Sequence, residues 1–145
     1  IASLGPDSAE SWRLIGDASR LAFADRGRYM ADIDFVPMPL TGLLDKTYLA
    51  ERAKLLESTT ALESVDAGMP SFSHTMNLVD DEAIEFPSTS HFSIVDTYGN
   101  VVSMTTTIEN GFGSRLMVNG FMLNNELTDF SFRSHKEGVP IANRL

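Results

Sequence analysis

The sequence predicts an α+β chain with its helices first and its strands second, and three observations carry that expectation. Residues 6–57 hold two runs with apolar side chains at helical spacing, each opened by a capping residue. Residues 91–108 hold two runs that alternate apolar and polar around a Thr-Tyr-Gly-Asn turn. Between them, 58–88 is rich in Ser, Thr and acidic residues and is broken by Gly68, Pro70 and Pro87. Helices and strands that segregate along the chain, rather than alternate, mark α+β.

The first helix is expected over 6–30. Asp7 is its predicted N-cap, with Glu10 three residues later completing a capping box. Trp12, Ile15, Ser19 and Ala22 share a face, and Trp12 is read with the methionines as core filler. Arg26 and Arg28 suit the negative end of the dipole. Pro37 and Pro39 make the following stretch irregular. Asp45 then caps a second helix with Leu49, Ala53 and Leu56 on one face. Residues 58–88 read as a long mobile connector, a feature uncommon inside a compact domain and often functional.

The strands follow. Phe92 and Ile94 alternate with His91 and Ser93, and Val102, Met104 and Ile108 alternate with Ser103, Thr105 and Thr107. If Asp96 pairs with Val101, then Ile94 faces Ser103, Phe92 faces Thr105 and Ser90 faces Thr107. The hydroxyls of Ser88, Thr89 and Ser90 would then gather beside Thr107 at the open end of the hairpin. A glycine-bearing loop over 110–120 leads to a short buried strand at Phe121. A polar tip follows, carrying Asn124, Asn125, Glu126 and Asp129.

Composition narrows the function. With 145 residues and 43% apolar content the chain is long enough to bury about two thirds of its unfolded surface. Its 11 basic and 20 acidic residues give a formal charge of −9, which repels phosphate backbones and argues against nucleic-acid and anionic-membrane partners. No apolar run approaches bilayer length. The chain opens on Ile1 rather than Met, so an upstream segment is expected. There is no cysteine, which removes disulfides and thiol chemistry and leaves bacterial periplasm and cytoplasm equally open. His74, His91 and His135 are too scattered for a metal site, and no cofactor is expected.

Local residues alone read the Ser88–Thr89–Ser90 cluster, after Pro87, as turn chemistry. The wider sequence reads otherwise. "TSHFSIVDTYGNVVSMTTTIENGFGSRLMVNGFMLNNELTDFSF" closely resembles the start of the small subunit of γ-glutamyltranspeptidases, which are N-terminal-nucleophile hydrolases. "AFADRGRYMADIDFVPMP" resembles the end of their large subunit. The resemblance implies a fragment of a four-layer αββα sandwich. Residues 1–88 would end the large-subunit region and 89–145 would begin the small one, both cut from one precursor.

It further implies self-cleavage of the Ser88–Thr89 bond, with Thr89 as nucleophile. A threonine hydroxyl needs a base, and the α-amine freed by that cut, with a pKa of about 7.7–8.0, can serve. Thr107 matches the threonine that orients the nucleophile. Glu126 and Asp129 match the pair that binds the donor's α-amino group, which charge-assisted acceptors hold best. Glu109 stands where many members carry Asn, and three carboxylates around one ammonium would repel one another. The implied partners are a small γ-glutamyl donor such as glutathione and an amine, peptide or water acceptor. The alternatives are an acylase of the same scaffold, of glutaryl or cephalosporin type, and a non-catalytic fragment. The family's carboxylate-binding arginine and its oxyanion hole fall outside these residues, so this segment alone is expected to be uncleaved and inactive.

Overall fold

The structure is a computed structural model that describes residues 3–73, 77–83 and 89–144. Among them three α-helices and six strands follow in order: α1 (Ala9–Tyr29), α2 (Leu40–Leu43), α3 (Lys46–Lys54), β1 (Thr89–Val95), β2 (Val101–Thr107), β3 (Met117–Val118), β4 (Phe121–Met122), β5 (His135–Lys136) and β6 (Val139–Pro140). The strands form three separate antiparallel pairs, β1–β2, β3–β4 and β5–β6. This is mixed helix and strand, as the α+β reading requires. The chain divides into two compact units, Ile1–Glu82 with Arg133–Leu145, and Ala83–Phe132.

In the first unit α1 starts one residue later than expected. Ser8, not Asp7, is the cap. Its backbone is extended and its Oγ accepts from the Ser11 N–H at 3.4 Å. Glu10 pairs with Arg13 at 2.7 Å rather than reaching back to close a capping box. The buried positions of α1 are Ser11, Asp17 and Leu21, whereas Trp12 is 65% exposed and is not core. Helix α2 begins directly after Pro39, in a stretch expected to be irregular, because a proline at the N-cap obstructs nothing. Asp45 does cap α3, its Oδ1 accepting from Thr47 and Tyr48 at 2.9 and 3.0 Å.

The described part of the connector has no helix or strand, yet it is pinned. The Leu62 N–H donates to both carboxylate oxygens of buried Asp17 at 3.3 Å, and the Gly68 N–H to Asp25 at 2.6 Å. The Tyr29 hydroxyl donates to the Gly68 carbonyl at 2.7 Å. A Cβ at Gly68 would collide with the Tyr48 hydroxyl, so any larger residue there would have to displace that ring. The small core is Val36, Leu78 and Ala142, with Tyr29 and Ala31 packed on it. Beside it Val79 bridges fully buried Ile141, and Glu82 pairs with Lys136 at 2.9 Å.

In the second unit the β1–β2 hairpin is one residue out of the expected register. Thr89 pairs with Thr107, Phe92 with Met104 and Ile94 with Val102. The cause is a tighter turn. Asp96 pairs with Asn100 through an N–H···O bond of 3.0 Å, with Gly99 at φ 86°. A one-residue slip moves a whole strand to the other face, and only the observed register puts Phe92, Ile94, Val102 and Met104 on one side. That apolar face is exposed. The loop over 110–120 contains a strand, β3, that the sequence reading misses. Asn119 and Gly120, both at positive φ, turn β3 into β4, and Phe121 is 74% exposed rather than buried. Glu137 and Gly138 do the same between β5 and β6.

Candidate active site

The residues singled out by the sequence all belong to the second unit, apart from Ser88, which like His74 lies outside the described residues. Thr89 is the first residue of β1 and faces Thr107, the last residue of β2. Counting back from the Asp96–Asn100 bond by twos makes 89–107 a non-hydrogen-bonded pair, the kind whose side chains approach most closely. The expected register sets Ser90 opposite Thr107. The observed one brings the two threonines together directly. The Thr107 Oγ1 accepts from the Glu109 N–H at 2.8 Å, which fixes the oxygen.

That bond helps to hold Glu109 in a left-handed conformation, φ 71°, an unusual choice for a residue with a Cβ. The turn folds Glu109 inward, to 5% exposure. Asn125 receives it. Its Nδ2 donates to Glu109 Oε2, its Oδ1 accepts from the Asn110 N–H at 3.0 Å, and its own N–H donates to the Ile108 carbonyl at 3.3 Å. The other carboxylate oxygen, Oε1, is buried and has no hydrogen-bond partner among the described residues. An unpaired buried acceptor is costly unless a ligand supplies the donor.

The polar tip completes the cluster. Glu126 and Asp129 lie in a 3-10 turn, Glu126–Asp129, started by Asn125. Partial burial raises the Glu126 carboxyl above its ordinary value. The negative charges of Asp129 and Glu109 and a hydrogen bond shared with Asp129 push the same way. The structure thus brings Glu109, Glu126 and Asp129 near enough to feel one another, with Asn125 as the organising side chain. Such a group suits a cation with several N–H donors. Its nearness to the Thr89–Thr107 pair follows from chain distance, since only Ile108 separates Thr107 from Glu109.

Gly113 allows this loop to close. It sits at φ 48°, and a Cβ there would overlap the Leu123 carbonyl oxygen. Two concavities lie in the first unit, and no predicted site residue lines either of them. His91 is the residue whose surroundings sequence reasoning misses. Spacing tests it only as a metal ligand, although its place two residues from Thr89 on a strand already puts both on one face.

Comparison with known proteins gives the site its context. The gamma-glutamyltranspeptidase family model matches residues 1–145. The glutathione hydrolase proenzyme of Bacillus subtilis (strain 168) is 40% identical over 131 residues, 85% of this chain and 22% of that protein. The glutathione hydrolase proenzyme of Escherichia coli (strain K12) is 32% identical over 138 residues, 94% of this chain and 22% of that protein. The acylase ACY 1 proenzyme of Pseudomonas sp. (strain SE83) is 36% identical over 132 residues, 90% of this chain and 21% of that protein. The chain thus spans about a fifth of the length of these relatives. No solved structure matches it.

Proposed function

The chain belongs to the gamma-glutamyltranspeptidase family, and from that premise we propose that the full-length protein is a γ-glutamyl transferase or hydrolase made as a self-cleaving precursor. The observation that carries the reading is the Thr89–Thr107 pair at the open end of the hairpin, one residue short of a buried, half-satisfied carboxylate. The cut falls between Ser88 and Thr89. Thr89 Oγ attacks the Ser88 carbonyl, and the C–N bond breaks as the Thr89 nitrogen takes up a proton. The resulting ester is then hydrolysed, which leaves a free α-amine at Thr89. In turnover that amine takes the hydroxyl proton as Oγ attacks the γ-amide of the donor. It passes the proton to the leaving amine, and water or an acceptor amine resolves the acyl-enzyme. Thr107 orients the attacking oxygen.

Glu109, Glu126 and Asp129 bind the donor's α-ammonium, whose N–H groups would satisfy Glu109 Oε1. This favours γ-glutamyl amides, glutathione among them, over donors with no ammonium. The acylase relative keeps a second reading in play, but three carboxylates would repel the terminal carboxylate of a glutaryl donor. The expected surroundings are the αββα sandwich of the parent, in which further chain covers the apolar face of the hairpin.

Donor profiling of the full-length protein tests the assignment. A γ-glutamyl anilide should turn over at least ~100-fold faster in kcat/KM than the matching glutaryl anilide, the deleted ammonium being a buried charged contact. Equal rates with both donors would move the protein to the acylase reading.

A further inference from the structure

One face of the hairpin carries a continuous polar ladder: Thr89 opposite Thr107, His91 opposite Thr105, Ser93 opposite Ser103. His91 is its hub. Its Nδ1 lies 2.8 Å from Thr105 Oγ1, and its Nε2 lies 3.2 Å from Ser103 Oγ and 3.4 Å from Ser93 Oγ. The imidazole therefore ties β1 to β2 at the next same-face pair inward from Thr89–Thr107. A neutral ring offers one donor and one acceptor, and the three hydroxyls can take either role, so the ladder is closed in either tautomer.

The consequence emerges once the chain is cut. Thr89 then becomes the free end of β1, and strand ends fray unless something ties them down. We propose that His91 is a positioning residue: through its bond to Thr105 it holds the end of β1 in register, so that Thr89 stays opposite Thr107 before and after cleavage. The inference rests on the reading of Thr89 as nucleophile. It adds a residue that touches neither the donor nor the reacting atoms.

The experiment uses the full-length precursor and γ-glutamyl-p-nitroanilide. His91→Phe keeps the ring and removes both nitrogens. It is expected to slow self-cleavage and to lower kcat per mole of cleaved enzyme at least ~10-fold, with KM within about twofold, since misplacement of about 1 Å can cost ~100-fold. His91→Asn, whose amide lies where Nδ1 lies, should restore kcat to within about threefold of wild type, whereas His91→Gln, which mimics Nε2, should not. Adding Thr105→Val to His91→Phe should cost nothing more, because both break one contact. Thermal melts show whether each variant is folded, and the Asn rescue is read between variants that melt alike. His91→Phe with wild-type kcat, or a loss that Asn and Gln restore equally, overturns the inference while leaving the nucleophile intact. A wild-type precursor that never splits, or a Thr89→Ala precursor that still does, overturns the reading beneath it.

Discussion

Each of the two units is held together by different means. The first is tied by acidic side chains that bond to backbone: buried Asp17 takes the Leu62 N–H and two arginines, and Asp25 takes the Gly68 N–H, the Tyr48 hydroxyl and Arg52. Their partners are spent within the fold. In the second unit the carboxylates of the candidate site are in the opposite condition. Glu109 is buried with an unpaired oxygen, and Glu126 is pushed toward its protonated form. Saturated acids mark scaffold, and frustrated acids mark a place awaiting a cation. On the proposed reading, the same kind of side chain serves stability in one unit and binding in the other.

Mutating one acid from each unit sharpens that contrast. Asp17→Ala leaves two arginines short of a partner and the Leu62 N–H unbonded, and is expected to cost roughly 2–3 kcal/mol of stability. Chemical denaturation of the full-length protein measures it, and donor KM should stay within about twofold. Glu126→Ala or Asp129→Ala should do the reverse, with the melt unchanged and KM for a γ-glutamyl donor raised about tenfold. An unchanged KM in both would reduce the tip to a structural loop.

The pH dependence of KM carries the same contrast, and its sign is fixed by the raised Glu126 carboxyl. Below that raised pKa the group is neutral and attracts ammonium weakly. KM should therefore climb as pH falls from neutral toward the carboxylate range, and Glu126→Gln should flatten the climb.

The smallest effect is expected at the hairpin turn. Asp96 accepts from the Asn100 side chain and from the Asn100 and Tyr98 backbone N–H groups, which holds its carboxyl below its ordinary value. That stabilisation is present above the ordinary aspartate pKa and is lost as pH falls through the lowered folded value. Asp96→Ala should speed amide exchange at Asn100 at neutral pH while leaving the register, and hence turnover, close to wild type.

Helix order, the Asp45 cap and the location of the hairpin are legible in the sequence, because spacing and turn chemistry specify them. The register is not, although its cue is present. Phe92 and Ile94 belong opposite Met104 and Val102, and pairing Asp96 with Val101 sets them against Thr105 and Ser103 instead. The Asn119–Gly120 turn is a strong hairpin signal, but β3 is only two residues long and reads as part of a glycine loop. Trp12 cannot be placed from periodicity, since an Asp at position 17 holds the buried stripe by pairing rather than by apolarity. The folding of Glu109 into the site rests on a positive φ that no residue type announces.

The central claim is that Thr89 becomes a chain terminus and a nucleophile. Intact-mass measurement of the purified full-length protein, wild type beside Thr89→Ala, tests it most directly. The account predicts two pieces for wild type, whose junction falls between Ser88 and Thr89, and a single uncut chain for Thr89→Ala with no turnover of a γ-glutamyl anilide. A Thr89→Ala protein that still splits at that bond, or an active wild type that stays in one piece, would contradict it.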